Sequence, residues 1–367
     1  MTSKQPHMPL RIGLVLATST GGVGTHVASL TAYLRKLDYH VTVCGPSATD
    51  ELFGFAARGA TFKAIKIPAS PSPLRTLVAM FQLRRAVRDV DVVHAHGLRA
   101  GFVAAASCRK PLVVTWHNLL LTQGAPGRRP PQLEQLLARR ADIAIGVSED
   151  LATRVAQFGA KDARFIPVAA VPLAPAQRST AQVRAELDCA ERPLVLSVAR
   201  LHPQKSLDVL ITAAARWKNR DSVPLVVIAG DGPQRKELAD LIDRLDAPVR
   251  LLGHRDDIAD LLAACDVAVL ASQWEGSPLF AQEALRAQKP LVVSDAGGLP
   301  ELVADAAALV PVGDVGALDQ AVITLLDDRA AAAQLSRRAG RRAAQLPGET
   351  ECNAQVVELY EQLAKRS

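Results

Sequence analysis

A chain of 367 residues carries 43 Lys and Arg against 37 Asp and Glu, five Cys and 49% hydrophobic residues, which excludes a disordered chain and, at roughly 100–200 residues per domain, predicts two domains. The net charge of +6 is unevenly spread: residues 1–172 hold 21 basic and 10 acidic side chains, a surplus of 11, and the rest hold 22 and 27, a deficit of 5. No apolar run approaches the ~20 residues that span a bilayer, the polar start from Met1 to Pro9 has no secretory core, and five scattered cysteines without a CxxC pair speak against disulfides or zinc, so a reducing cytoplasm is expected.

From the N-terminus, the run 11–17 (RIGLVLA) reads as a β-branched strand ending in a Gly/Ser/Thr turn. Residues 25–36 read as a helix, with Val27, Leu30, Leu34 and Leu37 at helical spacing. Further strands are expected at 40–44, 91–94, 112–115 and 142–147, each nearly all apolar, as parallel strands buried on both faces are. Helices are expected at 73–88 and 131–139. After a Pro- and Ala-rich stretch at 167–192 the logic repeats. Strands are expected at 194–198, 225–229, 249–252, 267–271 and 291–294, with helices at 207–218, 234–245, 258–263 and 281–288. A last helix is expected at 352–365.

Strand–helix alternation predicts parallel sheets with helical crossovers. The fold class is therefore α/β, as two Rossmann-like, doubly wound domains facing a cleft. The first domain spans 1–172, a linker 173–192 and the second domain 193–349, with the helix at 350–367 returning to the first. Such sheets bind ligands beyond the carboxyl ends of their strands, and clefts between domains are favoured sites.

Four segments carry chemistry. Ser19-Thr20-Gly21-Gly22-Val23-Gly24-Thr25-His26 lies between the first strand and first helix, where glycines admit close backbone approach and a helix N-terminus favours an anion. It is neither a GxGxxG nor a Walker loop, and a plain turn is an equal reading. Ala199-Arg200-Leu201-His202-Pro203-Gln204-Lys205 follows a core strand, and an Arg and a Lys five apart suit a diphosphate. Two solvated surface cations are the bland alternative.

Glu275-Gly276-Ser277-Pro278-Leu279-Phe280-Ala281-Gln282-Glu283 places two carboxylates eight apart around a turn. Glu275 can accept bonds from sugar hydroxyls, and a vicinal diol such as ribose suits Glu283. The alternatives are a loop acid and a helix N-terminal acid whose charge the macrodipole favours. Thr115-Trp116-His117-Asn118 ends a strand of the first domain, so His117 either faces the cleft, titrating near neutrality, or is a satisfied structural histidine. His94 and His96 form an HxH, but no further ligand stands at metal spacing, so no metal site is expected.

Taken in order, these segments resemble the retaining GT-B glycosyltransferases of family 4, over nearly the whole chain from Gly21 to Glu301. Ile228-Ala229-Gly230-Asp231-Gly232-Pro233 and Ser294-Asp295-Ala296-Gly297-Gly298-Leu299-Pro300-Glu301 belong to the same resemblance. It implies a metal-independent enzyme with no cofactor that moves a sugar from a UDP- or GDP-linked donor with retention. Arg200 and Lys205 would hold the donor diphosphate, Glu275 the donor sugar and Glu283 the ribose. Gly21 and Gly22 would let the first loop close over the phosphates, and His117 would stand at the donor sugar. Gly276, Ser277, Pro278 and Leu279 would line diphosphate and sugar, with Gly253, His254 and Arg255 near the base. The chain departs from the pattern at Ala199, Ser206 and Gln288, where glycine is usual, and at 166–171, which lacks the usual Asn-Gly-Val.

Two other readings are a sugar-nucleotide epimerase of the same fold and a non-catalytic basic binding protein. Nucleic acid is disfavoured, because aromatic residues are only 4% of the chain and supply no stacking platform. The acceptor is unidentified. The basic surplus of the first half suggests an anionic or lipid-linked one, together with Arg84, Arg85, Arg88, Arg128, Arg129, Arg139 and Arg140. The helix at 73–88 is expected to pack on the core, its cations complementing its C-terminal dipole. Peripheral attachment to the inner face of a membrane is the other reading.

Overall fold

The computed structural model describes residues 9–68, 72–118 and 132–366. Arg128 and Arg129, and the expected helix start at Pro131, lie outside the described residues. The chain forms two compact units, Met1–Ala169 with Pro347–Ser367, and Ala170–Leu346.

Among its described residues unit 1 has seven strands: β1 (Arg11–Leu16), β2 (His40–Gly45), β3 (Thr61–Ala64), β4 (Val92–His96), β5 (Leu112–Trp116), β6 (Ile143–Gly146) and β7 (Ala163–Phe165). They pair in parallel in the order β3-β2-β1-β4-β5-β6-β7. Between them run α1 (Gly22–Lys36), α2 (Ser47–Phe53), α3 (Pro73–Ala86), α4 (Leu98–Ser107), α5 (Gln132–Arg140) and α6 (Glu149–Gln157). Every residue of β4 and β5 is buried, because helices cover both faces of the sheet. β3 and β7 close the edges, and their polar, exposed residues hide them from hydropathy patterning.

The C-terminal helix (Glu349–Arg366) buries Val356, Tyr360 and Leu363 in the core of unit 1. Its Asn353 Nδ2 donates to Ser29 Oγ at 2.9 Å, and Glu361 accepts from the Tyr39 hydroxyl at 2.8 Å.

Unit 2 has six strands: β8 (Leu194–Val198), β9 (Leu225–Ala229), β10 (Val249–Gly253), β11 (Val267–Leu270), β12 (Leu291–Ser294) and β13 (Ala308–Val310). They are parallel, in the order β10-β9-β8-β11-β12-β13. Its helices are α7 (Thr180–Glu186), α8 (Leu207–Ala214), α9 (Arg235–Leu245), α10 (Ile258–Ala264), α11 (Leu279–Arg286), α12 (Leu299–Val303), α13 (Val315–Asp327) and α14 (Arg329–Gln345).

The stretch 173–192, expected as a linker, folds into unit 2. A capping box starts α7: Ser179 Oγ accepts from the Gln182 N–H at 3.2 Å, and Gln182 Oε1 from the Ser179 N–H at 2.9 Å. Arg178 binds Asp260 at 2.9 Å and also pairs with Asp257 and Glu186. Pro and Ala richness signals a linker only where nothing ties the chain down, and here an ion network does.

In each unit the strand order reverses beside the first strand, at β1/β4 and at β8/β11. Those are the switch points where open α/β sheets hold ligands.

α3 departs from expectation. Leu74, Leu77, Val78 and Phe81, expected against the core, are exposed, and the helix instead buries Ala79 and Leu83. All five cysteines are buried and none is in a disulfide. Among the described residues no helix is long and apolar enough to cross a membrane.

Candidate functional site

The switch point of unit 2 gathers four loops. β8 runs into Ala199–Ser206, which ends in a 3₁₀ turn at Pro203–Lys205. β11 runs into the Glu275 turn. The two loops are joined by hydrogen bonds: Gln273 N–H donates to Gln204 O at 2.8 Å, and the Gln204 side chain, through Nε2, to Trp274 O at 2.9 Å. The β9 loop is tied in through Leu201, whose N–H donates to Asp231 O at 3.0 Å. The β12 loop docks through Gly298, whose N–H donates to Glu275 O at 2.8 Å. Glycine is required at 297, where φ is +56° and a Cβ would stand 2.1 Å from Glu275 O.

Lys205 and Glu275 therefore meet. Lys205 Nζ pairs with Glu275 Oε1, and both side chains are largely buried. Ser272 Oγ donates to the same carboxylate oxygen at 2.6 Å. Ser272 escapes sequence reasoning, since a serine three residues before a glutamate carries no signal. Arg200, five residues before Lys205 in the same loop, is exposed. Gly276, Ser277 and Pro278 form the turn into α11, which begins at Leu279, and Gln282 Nε2 donates to Ser277 Oγ at 3.1 Å.

Glu283 stands in the second turn of α11, not at its N-terminus. Burial pushes its carboxyl up to about 7 despite nearby Arg286, so desolvation outweighs the expected help from the helix dipole. Among the described residues its carboxylate has no hydrogen-bond partner, which leaves a half-buried acceptor for a hydroxyl pair.

Gly253 ends β10 with φ +75°, two strands away from β8. His254 is largely exposed and bonds Asp256 at 3.1 Å. Arg255 is held by Asp257 at 2.6 Å and Glu186 at 3.0 Å, so its guanidinium is engaged in an ion network rather than turned to the Lys205–Glu275 pair.

Two departures from the family pattern acquire a reason. Ser206 has φ +43° and Gln288 φ +52°, left-handed backbone that glycine adopts at no steric cost. The chain keeps the geometry and carries the strain.

In unit 1, α1 starts at Gly22 rather than at Thr25, so the glycine motif forms its first turn. No acid stands in its first turn and Gly22 is exposed, while Ser19 Oγ accepts from the Gly24 N–H at 3.0 Å. An exposed glycine at a helix N-terminus suits the approach of an anion. Gly24 serves packing instead: a Cβ there would overlap the Phe53 ring at 2.1 Å.

Beside this turn stand four histidines. The His94 ring nitrogens lie 2.5 Å from the Tyr360 hydroxyl and 2.6 Å from Thr115 Oγ1. His96 Nδ1 lies 3.4 Å from His117 Nε2, and the His26 ring stacks edge-on to both. His26 and Tyr360 carry no sequence signal, because only the fold brings them to β4. Burial pushes His26 down to about 4 and holds His94, His96 and His117 well below the usual histidine value. Of the two readings of His117, burial speaks against titration near neutrality. Among the described residues no group of three or more His, Cys, Asp or Glu is arranged to hold a metal ion.

Two family models match the chain: Glycosyltransferase Family 4 over residues 20–169, and Glycosyl transferases group 1 over residues 180–344. The chain is 29% identical to a phosphatidyl-myo-inositol mannosyltransferase of Mycolicibacterium smegmatis, over 96% of this chain and 94% of that one. It is 30% identical to a D-inositol 3-phosphate glycosyltransferase of Kineococcus radiotolerans, over 71% of this chain and 69% of that one. The fold matches that of Anabaena HepE, solved in complex with UDP-glucose, with TM-score 0.82 and 23% identity over 96% of this chain and 100% of that one. With both halves matched in order and two parallel-sheet units in place, the chain belongs to the family 4, group 1 glycosyltransferases of GT-B fold.

Proposed function

We propose that this glycosyltransferase binds a UDP- or GDP-linked sugar at the switch point of unit 2. It transfers the sugar with retention, without a cofactor or divalent ion, to an anionic or lipid-linked acceptor held by unit 1. It works in the cytoplasm with peripheral contact to the inner face of the membrane. The observation that carries the reading is the Lys205–Glu275 pair, bonded by Ser272, with exposed Arg200 in the same loop as Lys205.

A donor diphosphate competes for Lys205, because two phosphates offer more charge than one carboxylate. Glu275, still held by Ser272, then accepts from hydroxyls of the sugar. Arg200 and Lys205 stabilise the charge that builds on the leaving diphosphate, the task a metal performs elsewhere. Glu283 accepts from the ribose diol, and those donors favour its charged form. The backbone of Gly276–Leu279 lines the phosphates, and that of Gly253–Arg255 the base. Gly21 and Gly22 offer backbone N–H groups to an anion.

His117 is neutral and acts as a hydrogen-bond donor to the sugar. His96 Nε2 is buried without a partner among the described residues. An unpaired lone pair costs less than an unpaired N–H, so His96 donates from Nδ1 to His117 Nε2 and leaves a proton on His117 Nδ1.

The test is a screen of nucleotides and nucleotide sugars for thermal stabilisation and transfer, run with and without a chelator. Because HepE was solved with UDP-glucose, that donor comes first. Arg200→Ala and Glu275→Ala are expected to lower turnover by about 10²–10³ or more while circular dichroism stays unchanged. Wild-type turnover in both variants sinks the reading. An altered nucleotide sugar released from donor alone, followed by NMR, would establish an epimerase instead.

A further inference from the structure

Six large apolar side chains of unit 1 stand in water on two helices. On α3, Leu74 is 78%, Leu77 62%, Val78 54% and Phe81 71% exposed. On α5, Leu133 is 60% and Leu136 64% exposed. Positions 74, 77, 78 and 81 follow the i, i+3, i+4, i+7 pattern, so they form one continuous face. Single exposed leucines are ordinary; a whole helical face of them marks an interaction site.

Charge completes the surface. Arg84 and Arg85, in the last turn of α3, lie three and four residues after Phe81 and so continue the same face, and exposed Arg88 follows just beyond the helix. α5 repeats the order, apolar in its first turns and with exposed Arg139 in its last. α3 contains no acid, and the one acid of α5, Glu134, is buried.

Topology places this face. α3 and α5 both pack against α4. As crossovers between parallel strands they run antiparallel to the strands. Their apolar first turns therefore stand at the carboxyl ends, the end that carries Gly21, Gly22, His96 and His117.

We propose that the outer face of α3 and α5 docks on an anionic lipid bilayer. The leucines, Val78 and Phe81 enter the boundary between headgroups and acyl chains, and the arginines of both helices meet lipid phosphates while their stems lie along the apolar layer. A second copy of this chain fits less well, since a self-complementary contact would bring cations onto cations with no exposed acid of either helix to meet them. The surface deepens the proposed peripheral contact and rests on it for its role. It brings a lipid-linked acceptor to the ligand-binding end of unit 1.

The full-length chain is floated with vesicles of phosphatidylcholine alone and of equal parts phosphatidylcholine and phosphatidylglycerol. Binding is expected to the anionic vesicles only, and to weaken as salt rises. Leu77→Ser with Phe81→Ser is expected to cut partitioning by about tenfold or more, and Arg84→Ala with Arg85→Ala by about tenfold. Thermal stabilisation by UDP is measured on every variant and is expected to be unchanged, because the substituted side chains lie in unit 1 and face solvent. If UDP stabilises nothing while vesicles bind, the donor reading fails and this surface stands. Failure of the wild type to float with anionic vesicles overturns the proposal, as does equal flotation of the Leu77/Phe81 variant. A dimer that Leu77→Ser with Phe81→Ser dissolves, with no vesicle binding, would assign the face to a second copy.

Discussion

At the scale of single residues, the site is set by what burial does to charge. Glu283 shows the sign. Its carboxyl ordinarily titrates near 4.5 and is pushed up to about 7 by burial. Between those values the folded chain holds a proton that the unfolded chain has released, so stability falls as pH rises through that window. Above pH 7 the ionised, unpartnered carboxylate costs up to about 3 kcal/mol. Glu283→Gln is therefore expected to raise the Tm at pH 8 and leave it unchanged near pH 4, while weakening UDP affinity at pH 8. A Tm unchanged at pH 8 would remove the desolvation argument. The acidic pair was legible in the sequence as a spacing of eight. Its electrostatics were not: helix position alone argued for a favoured charge, and only the packing around α11 reverses that.

At the scale of elements, strand ends place the chemistry. β8 and β11 deliver Lys205 and Glu275 to one point, and the β12 loop clamps the Glu275 turn through Gly297. Gly297→Ala forces a Cβ to 2.1 Å from Glu275 O at a left-handed backbone, in a contact made of backbone that cannot swing aside. It is expected to cost about 1–3 kcal/mol and to lower transfer strongly, read as a drop in Tm together with a rise in KM for the donor. Both unchanged would mean that the clamp does not position Glu275. The core strands were legible because burial on both faces leaves only apolar side chains. The edge strands β3, β7 and β13 were not, since one side of each is open to water. The outward face of α3 was misread for a related reason: helical periodicity reports that an apolar face exists, not which way it points.

At the scale of the whole molecule, the charge split softens once the fold is known. Pro347–Ser367 belongs to unit 1 and brings four acids and two bases, so unit 1 holds 23 basic and 14 acidic side chains, and unit 2 holds 20 and 23. The sign of the division survives at +9 against −3. Two units of separate core also imply unfolding that a single two-state transition does not describe. UDP at a hundred times its Kd is expected to stabilise unit 2 by about 2.7 kcal/mol and to move its calorimetric transition. A scan in which UDP moves no transition would place nucleotide binding elsewhere.

By itself the sequence determined the alternation of strands and helices and two doubly wound sheets, and it put forward Arg200, Lys205, Glu275 and Glu283 as candidates for the chemistry. These follow from local periodicity and from spacing along one strand–turn–helix unit, which a linear pattern records. Only the tertiary structure decided that 173–192 joins unit 2, that Ser272 holds Glu275, that Tyr360 and His26 join the strand-end histidines, and that α3 turns its leucines to water. Each of these depends on contacts between residues far apart in the chain, or on which face a neighbour covers, and neither is written in the spacing of any one segment.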